Sequence, residues 1–204
     1  MNPEFAKIIE KIRAHPFKGG IGHLTITELA KEINVPEVEI RKFVNTESEL
    51  VEKVLEFERD SFKVIFEVHN FEGVNAIDIL LTVSKEIALK FLNISPALTF
   101  DLKTYYPDIY LEHFKQRQDF IFNKIRINLE KGIRQGMYRD DLSIELISRL
   151  YLARLIDLHN PNFFPPEKFS FEVLFNVMFE SLIRSIAKPE GLAYFEMKRK
   201  EFKL

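Results

Sequence analysis

LTITELAKEINVPEVEIRKFVNTESEL, residues 24–50, decides the fold. Thr25-Ile26-Thr27-Glu28 has the form of a capping box, in which a threonine hydroxyl accepts an amide of the first helical turn and a glutamate three residues on reaches back. A helix therefore starts at about Thr25. Ile26, Leu29, Ala30 and Ile33 recur at helical spacing, and the small Ala30 allows a crossing helix to approach closely. Asn34 comes next, where the backbone needs a left-handed residue, which asparagine tolerates. Pro36 suits the first turn of a second helix, where its missing N–H goes unused. Val38, Ile40, Phe43 and Val44 are expected inward, leaving Glu37, Glu39, Arg41 and Lys42 toward solvent or a ligand. Two short helices around a tight turn, with a third launched at Thr46, form a helix-turn-helix pattern whose second helix would enter a DNA major groove.

These residues resemble the DNA-binding signature of TetR-like one-component transcriptional regulators. Thr25, Ile26, Leu29, Ala30, Ile33, Val35, Ile40, Phe43 and Leu50 fall on matching positions without a gap. Asn34 stands where the family usually has glycine, Pro36 where it often has serine, Arg41 where it usually has tyrosine, Val44 where it has phenylalanine, and Glu47 where it has a phosphate-contacting lysine. Asparagine and proline keep the turn chemistry, whereas Arg41 and Glu47 alter the surface that would meet DNA. Gly20-Ile21 stands where the family has a glycine followed by an aromatic, which extends the resemblance back toward the first helix.

Upstream, Phe5, Ile8, Ile9 and Ile12 form an apolar stripe over residues 3–15, ended by His15-Pro16 and the glycines at 19, 20 and 22. This is the third helix of the unit. Downstream, Thr46-Glu47-Ser48-Glu49 is a second capping-box candidate, opening a long helix to about residue 69. The resemblance implies that this helix is a lever setting the spacing of two recognition helices. Further helices are expected over residues 74–92, 96–105, 107–135, 143–159 and 167–187, with no alternating strand pattern and no repeat. The chain reads as all-α: a three-helix DNA-binding domain over residues 1–47, then a larger helical effector-binding and dimerisation domain over residues 48–204. The run from Gly132 to Asp141, GIRQGMYRDD, resembles the turn before the last two helices of TetR-like proteins. There Gly136 suits a left-handed cap, and Asp141 or Ser143 can cap the next helix.

A chain of 204 residues with 46% apolar content can bury a core. It has no cysteine, which removes disulfides and thiolate metal sites and is compatible with a reducing cytoplasm. Charges at Glu4, Lys7, Glu10, Lys11 and Arg13 interrupt any signal peptide, and no uncharged apolar run approaches membrane-spanning length. A soluble cytoplasmic protein without membrane partners is expected. The five histidines are dispersed, without a His-Glu-x-x-His spacing, and there is neither a glycine-rich phosphate loop nor a nucleophile elbow. No catalytic residue, metal ligand or cofactor is assigned.

Double-stranded DNA is the first expected partner. Thr25, Thr27, Asn45 and Thr46 can donate to phosphates at helix starts, Arg41 and Lys42 supply adjacent cations, and Glu37 and Glu39 can accept from cytosine amino groups while repelling the backbone. With Pro36, which shapes the entry to the second helix, these nine residues form the expected DNA-binding set. Within residues 1–60 acids outnumber bases, and the net charge of the chain is -2. Phosphate contacts dominate affinity, so weak, salt-sensitive binding is expected unless the bases cluster.

Twenty phenylalanines and no tryptophan make the interior aromatic, and most of them are core. Phe62, Phe66, Phe91, Phe100, Tyr105, Tyr106, Tyr110 and Phe114 fall in segments that, by the resemblance, enclose an effector pocket. The expected effector is an apolar or aromatic small molecule oriented by tyrosine hydroxyls. The segments 143–159 and 167–187 are apolar on more than one face, which suggests one face on the body and another on a twofold-related copy. Two functional readings fit these features. One is a ligand-responsive regulator, a repressor acting as a homodimer on a pseudo-palindromic operator. The other is a TetR-like helical dimer with decayed DNA contacts, serving as a small-molecule-binding or protein-interaction module.

Overall fold

Asn2 opens the first helix by accepting the Glu4 N–H on its side chain at 2.8 Å, and Pro3 sits in the first turn, where no donor is lost. The structure is a computed structural model; it describes residues 1–91, 98, 101–158, 163–165 and 167–202, with only the backbone of residues 88, 90, 91 and 202. The described residues are all-α, in ten helices.

Helix α1 (Pro3–Ala14) buries Phe5, Ile8, Ile9 and Ile12. Helix α2 (Ile26–Glu32) carries the complete capping box: Glu28 N–H donates to Thr25 Oγ1 at 3.2 Å, and Thr25 N–H donates to the Glu28 carboxylate at 2.9 Å. Asn34 takes φ 52°, the left-handed turn expected of it. Helix α3 (Glu37–Arg41) differs from expectation in two ways. Pro36 is its N-cap rather than part of its first turn, and Val38 is 63% exposed rather than inward. Helical geometry explains the second: with Ile40 and Val44 buried, a residue two positions before Ile40 points away from the core.

Helix α4 (Glu47–Val68) starts at Thr46, whose hydroxyl accepts the Glu49 N–H at 3.1 Å. The second half of the expected box forms one residue early, because the Glu49 carboxylate accepts from Asn45 N–H at 2.7 Å. Helices α5 (Ala76–Phe91), α6 (Leu102–Tyr105), α7 (Pro107–Arg134), α8 (Ile144–Asp157) and α9 (Phe171–Ile186) come after it. Helix α9 begins later than expected, since Lys168 and Phe169 turn back to the Pro165 carbonyl and Ser170 provides the cap.

A tenth helix, α10 (Pro189–Phe202), lies beyond the segments read as helical. Pro189 and Gly191 look like breakers, yet the proline occupies the first turn. Gly191 permits close approach: an added Cβ would stand 2.1 Å from the Met137 carbonyl oxygen. The turn after α7 is tied to this region. Gly136 is left-handed at φ 73°, Tyr138 pairs as an isolated bridge with Ala187, and Lys188 N–H donates to Met137 O at 2.9 Å. Fully buried Tyr138 donates its hydroxyl to Asn128 Oδ1 at 3.2 Å, and Asn128 donates to Ala76 O at 2.8 Å.

Two compact units result: Met1–His69 with Leu89–Arg117, and Asn70–Ala88 with Gln118–Leu204. The first has a core built from α1, α2, α3 and the start of α4, joined by Leu98 and Leu102. Here Asp101 is 8% exposed; its carboxylate accepts from Gly22 N–H at 2.9 Å and His23 N–H at 3.1 Å, and it also meets His23 Nδ1 at 2.9 Å. The loop after α1 is thereby fastened to the start of α6. The second unit's core combines α5, the later part of α7, α8, α9 and α10 around Tyr138, Phe175, Phe179 and Phe195.

Candidate nucleic-acid interface

All nine residues expected to meet DNA are exposed or half-buried in the structure. Four of them are linked to one another. Arg41 Nε meets Glu37 Oε1 at 3.1 Å and Arg41 Nη1 donates to the Asn45 carbonyl at 2.5 Å. Glu37 also accepts a hydrogen bond from Thr27, and this bond, followed by that from Arg41, holds its carboxyl below the usual range. Lys42 Nζ is paired with Glu39 Oε2 at 2.5 Å. Arg41 in α3 and Lys42 at its C-cap are therefore both matched by acids of that helix, one turn back. The hydroxyls of Thr25 and Thr46 are occupied as helix caps, and Pro36 precedes α3 as its exposed N-cap.

Glu47 is not part of the outward surface in the manner its sequence position suggests. Its carboxylate accepts from Ile26 N–H at 3.1 Å, joining the start of α4 to the start of α2. Backbone hydrogen bonds lower its pKa. Two further residues complete this surface. Val38 offers an exposed apolar side chain that could meet a thymine methyl, and Lys31 is exposed and near enough to Glu37 to lower its pKa slightly. The register set by Ile40 would have identified Val38.

Within the same unit, α4 and the first turns of α7 meet along two side-chain stripes. Leu55, Glu58, Arg59, Phe62 and Phe66 recur at helical spacing on one helix, and Tyr110, His113, Phe114 and Arg117 on the other. Arg59 Nη1 donates to His113 Nδ1 at 2.9 Å, and the ring also bonds the Leu55 backbone. His113 is 5% exposed, and burial lowers its pKa to about 4, the Glu58 charge opposing and the two arginines assisting. Arg117 Nη1 approaches buried Glu58 Oε1 at 3.5 Å and lies over the Phe62 ring at 5.6 Å. From α1, Arg13 lies over Phe57 at 5.2 Å, and its Nε is buried without a hydrogen-bond partner. Burial lowers its pKa.

Of the eight residues expected around an effector, Tyr110 and Phe114 stack at 5.9 Å. Tyr106 and Tyr110 pack against the core of the first unit, and Tyr105 is 55% exposed with its ring 6.3 Å from that of His23. Phe100 and the side chain of Phe91 lie outside the described residues. On α8 and α9, Tyr151, Phe175, Phe179 and Ile183 face the core while Leu146, Leu150, Val173 and Val177 are exposed. Among the described residues no group of histidines and carboxylates could hold a metal ion, and no helix is long and apolar enough to cross a membrane.

The described helices have the fold of TetR-family transcriptional regulators. A transcriptional regulator from Cytophaga hutchinsonii is similar with a TM-score of 0.63 and 16% identity, over 91% of this chain and 98% of that one. TylP, a TetR regulator from Streptomyces fradiae, is similar with a TM-score of 0.61 and 14% identity, over 98% of this chain and 95% of its own. A protein from Saccharomonospora viridis described as a transcriptional regulator, solved with choline, is similar at 0.55 and 16%, over 92% of this chain and 100% of its own. No protein-family model and no curated protein matches the sequence.

Proposed function

We propose that the chain is a ligand-responsive, DNA-binding transcriptional regulator, a repressor acting in the cytoplasm as a homodimer on a pseudo-palindromic operator. The observation that carries this reading is the capped α2, left-handed Asn34 and short α3 with an outward polar face, the construction of a DNA-reading helix-turn-helix. Residues 1–47 form the reading head and residues 48–204 the part that binds effector and dimerises. The exposed apolar residues of α8 and α9 suit a twofold four-helix contact. The aromatic stripes of α4 and α7 suit an effector, and one protein of this fold holds a small molecule. The chain is a regulator and not an enzyme.

The pairing of Arg41 with Glu37 and Lys42 with Glu39 favours a second reading, a helical dimer whose DNA contacts have decayed. Selection from random duplex DNA at low salt separates the two. A regulator enriches a pseudo-palindrome, and the double variant Arg41→Ala, Lys42→Ala loses it. Glu37→Gln with Glu39→Gln frees both cations, so binding to the selected site is expected to tighten, with a steeper dependence on salt. Absence of any enriched sequence supports the decayed module. A solution mass at high concentration that shows only monomer removes the homodimer from either reading.

A further inference from the structure

We propose that the face where α4 meets the first turns of α7 in the first unit binds an organic anion, a carboxylate on an aromatic or alkyl body, with Arg59 and Arg117 holding the carboxylate. The inference rests on the effector-binding reading above and gives that effector a charge.

Three guanidinium groups, Arg13, Arg59 and Arg117, converge from α1, α4 and α7 on a region with one buried carboxylate, Glu58. Glu10 also faces Arg13, from an exposed position. Arg59 has no carboxylate within ion-pair distance among the described residues; its partner is the ring of His113, which burial keeps neutral. Arg117 stands 3.5 Å from Glu58, too far for a good hydrogen bond, and is otherwise spread over Phe62. Half-buried cations that outnumber their acids are costly unless an anion completes them.

The surroundings specify the rest of that partner. Phe62 and Phe66 continue the Arg59 stripe on α4, and Phe114, stacked on Tyr110, precedes Arg117 by one turn on α7. An anionic head at the arginines places an apolar body along the Phe62 ring, which already lies under Arg117. Guanidinium forks match a carboxylate in a bidentate manner and reject a neutral amide, which brings no charge and presents donors of its own.

Calorimetry and thermal shift on the full chain test the assignment with decanoate and 3-phenylpropionate against decanamide and 3-phenylpropionamide. The carboxylates are expected to bind saturably and to raise Tm, with each amide weaker by about tenfold or more. Arg59→Gln and Arg117→Gln are each expected to weaken the carboxylates by about tenfold while leaving the amides unchanged. Equal binding of acid and amide to the unaltered chain, or no saturable binding of either acid, overturns the proposal without recourse to a variant. No DNA enters this measurement, so carboxylate binding without an operator would sink the regulator reading alone, and an operator without carboxylate binding would sink this one alone.

Discussion

Gly191→Ala is expected to damage the second unit severely. The new Cβ would stand 2.1 Å from the Met137 carbonyl oxygen. That oxygen cannot swing aside as a side chain would, because it accepts Lys188 N–H and lies next to the Tyr138–Ala187 bridge. Helix α10 must move off the turn, or the turn must give up its hydrogen bonds. Overpacking of this kind costs about 3 kcal/mol or more, which lowers Tm by roughly 6–12 °C for a chain of this size. Gly136→Asn is the control. Its backbone is left-handed, which asparagine tolerates, and nothing lies within 4 Å of an added Cβ, so its cost should stay below about 1 kcal/mol. A thermal melt in which both variants lose the same few degrees would mean that the α10 contact is looser than the structure has it.

His113 should make the first unit sensitive to acid. Burial pushes its pKa to about 4 in the folded chain, against about 6.5 when unfolded. Above pH 6.5 the ring is neutral in both states and adds no pH dependence. Between pH 6.5 and 4 the unfolded chain takes up the proton and the folded chain does not, so stability falls as pH falls. The loss amounts to about 3 kcal/mol once the pH is below both values. His113→Gln keeps a neutral polar side chain and should flatten this part of the profile. In the unaltered chain, an NMR titration of the His113 ring should have its midpoint near 4, and a midpoint above 6 would contradict the burial and the bond from Arg59.

The head's scaffold is legible in the sequence because it is built from local chemistry. The Thr25–Glu28 box, the turn at Asn34 and the buried positions Ile26, Leu29, Ala30, Ile40 and Val44 all come from spacings of a few residues. The pairing of Glu37 with Arg41 and Glu39 with Lys42 is legible too, as i,i+4 and i,i+3 spacings, although the same four outward positions also suit separate DNA contacts. Helix α10 escapes a sequence reading for the opposite reason. Proline and glycine break helices on average, and only a neighbouring carbonyl explains why Gly191 stands where it does.

By itself, the sequence determined the helical class, the caps and the turn of the head, because backbone geometry there depends on neighbours along the chain. Only the tertiary structure decided that Glu47 turns inward to Ile26 N–H, 21 residues away, and that Arg59 meets His113, 54 residues away. A carboxylate or guanidinium takes its partner from whatever the fold brings within about 3 Å, and sequence spacing carries no information on that distance.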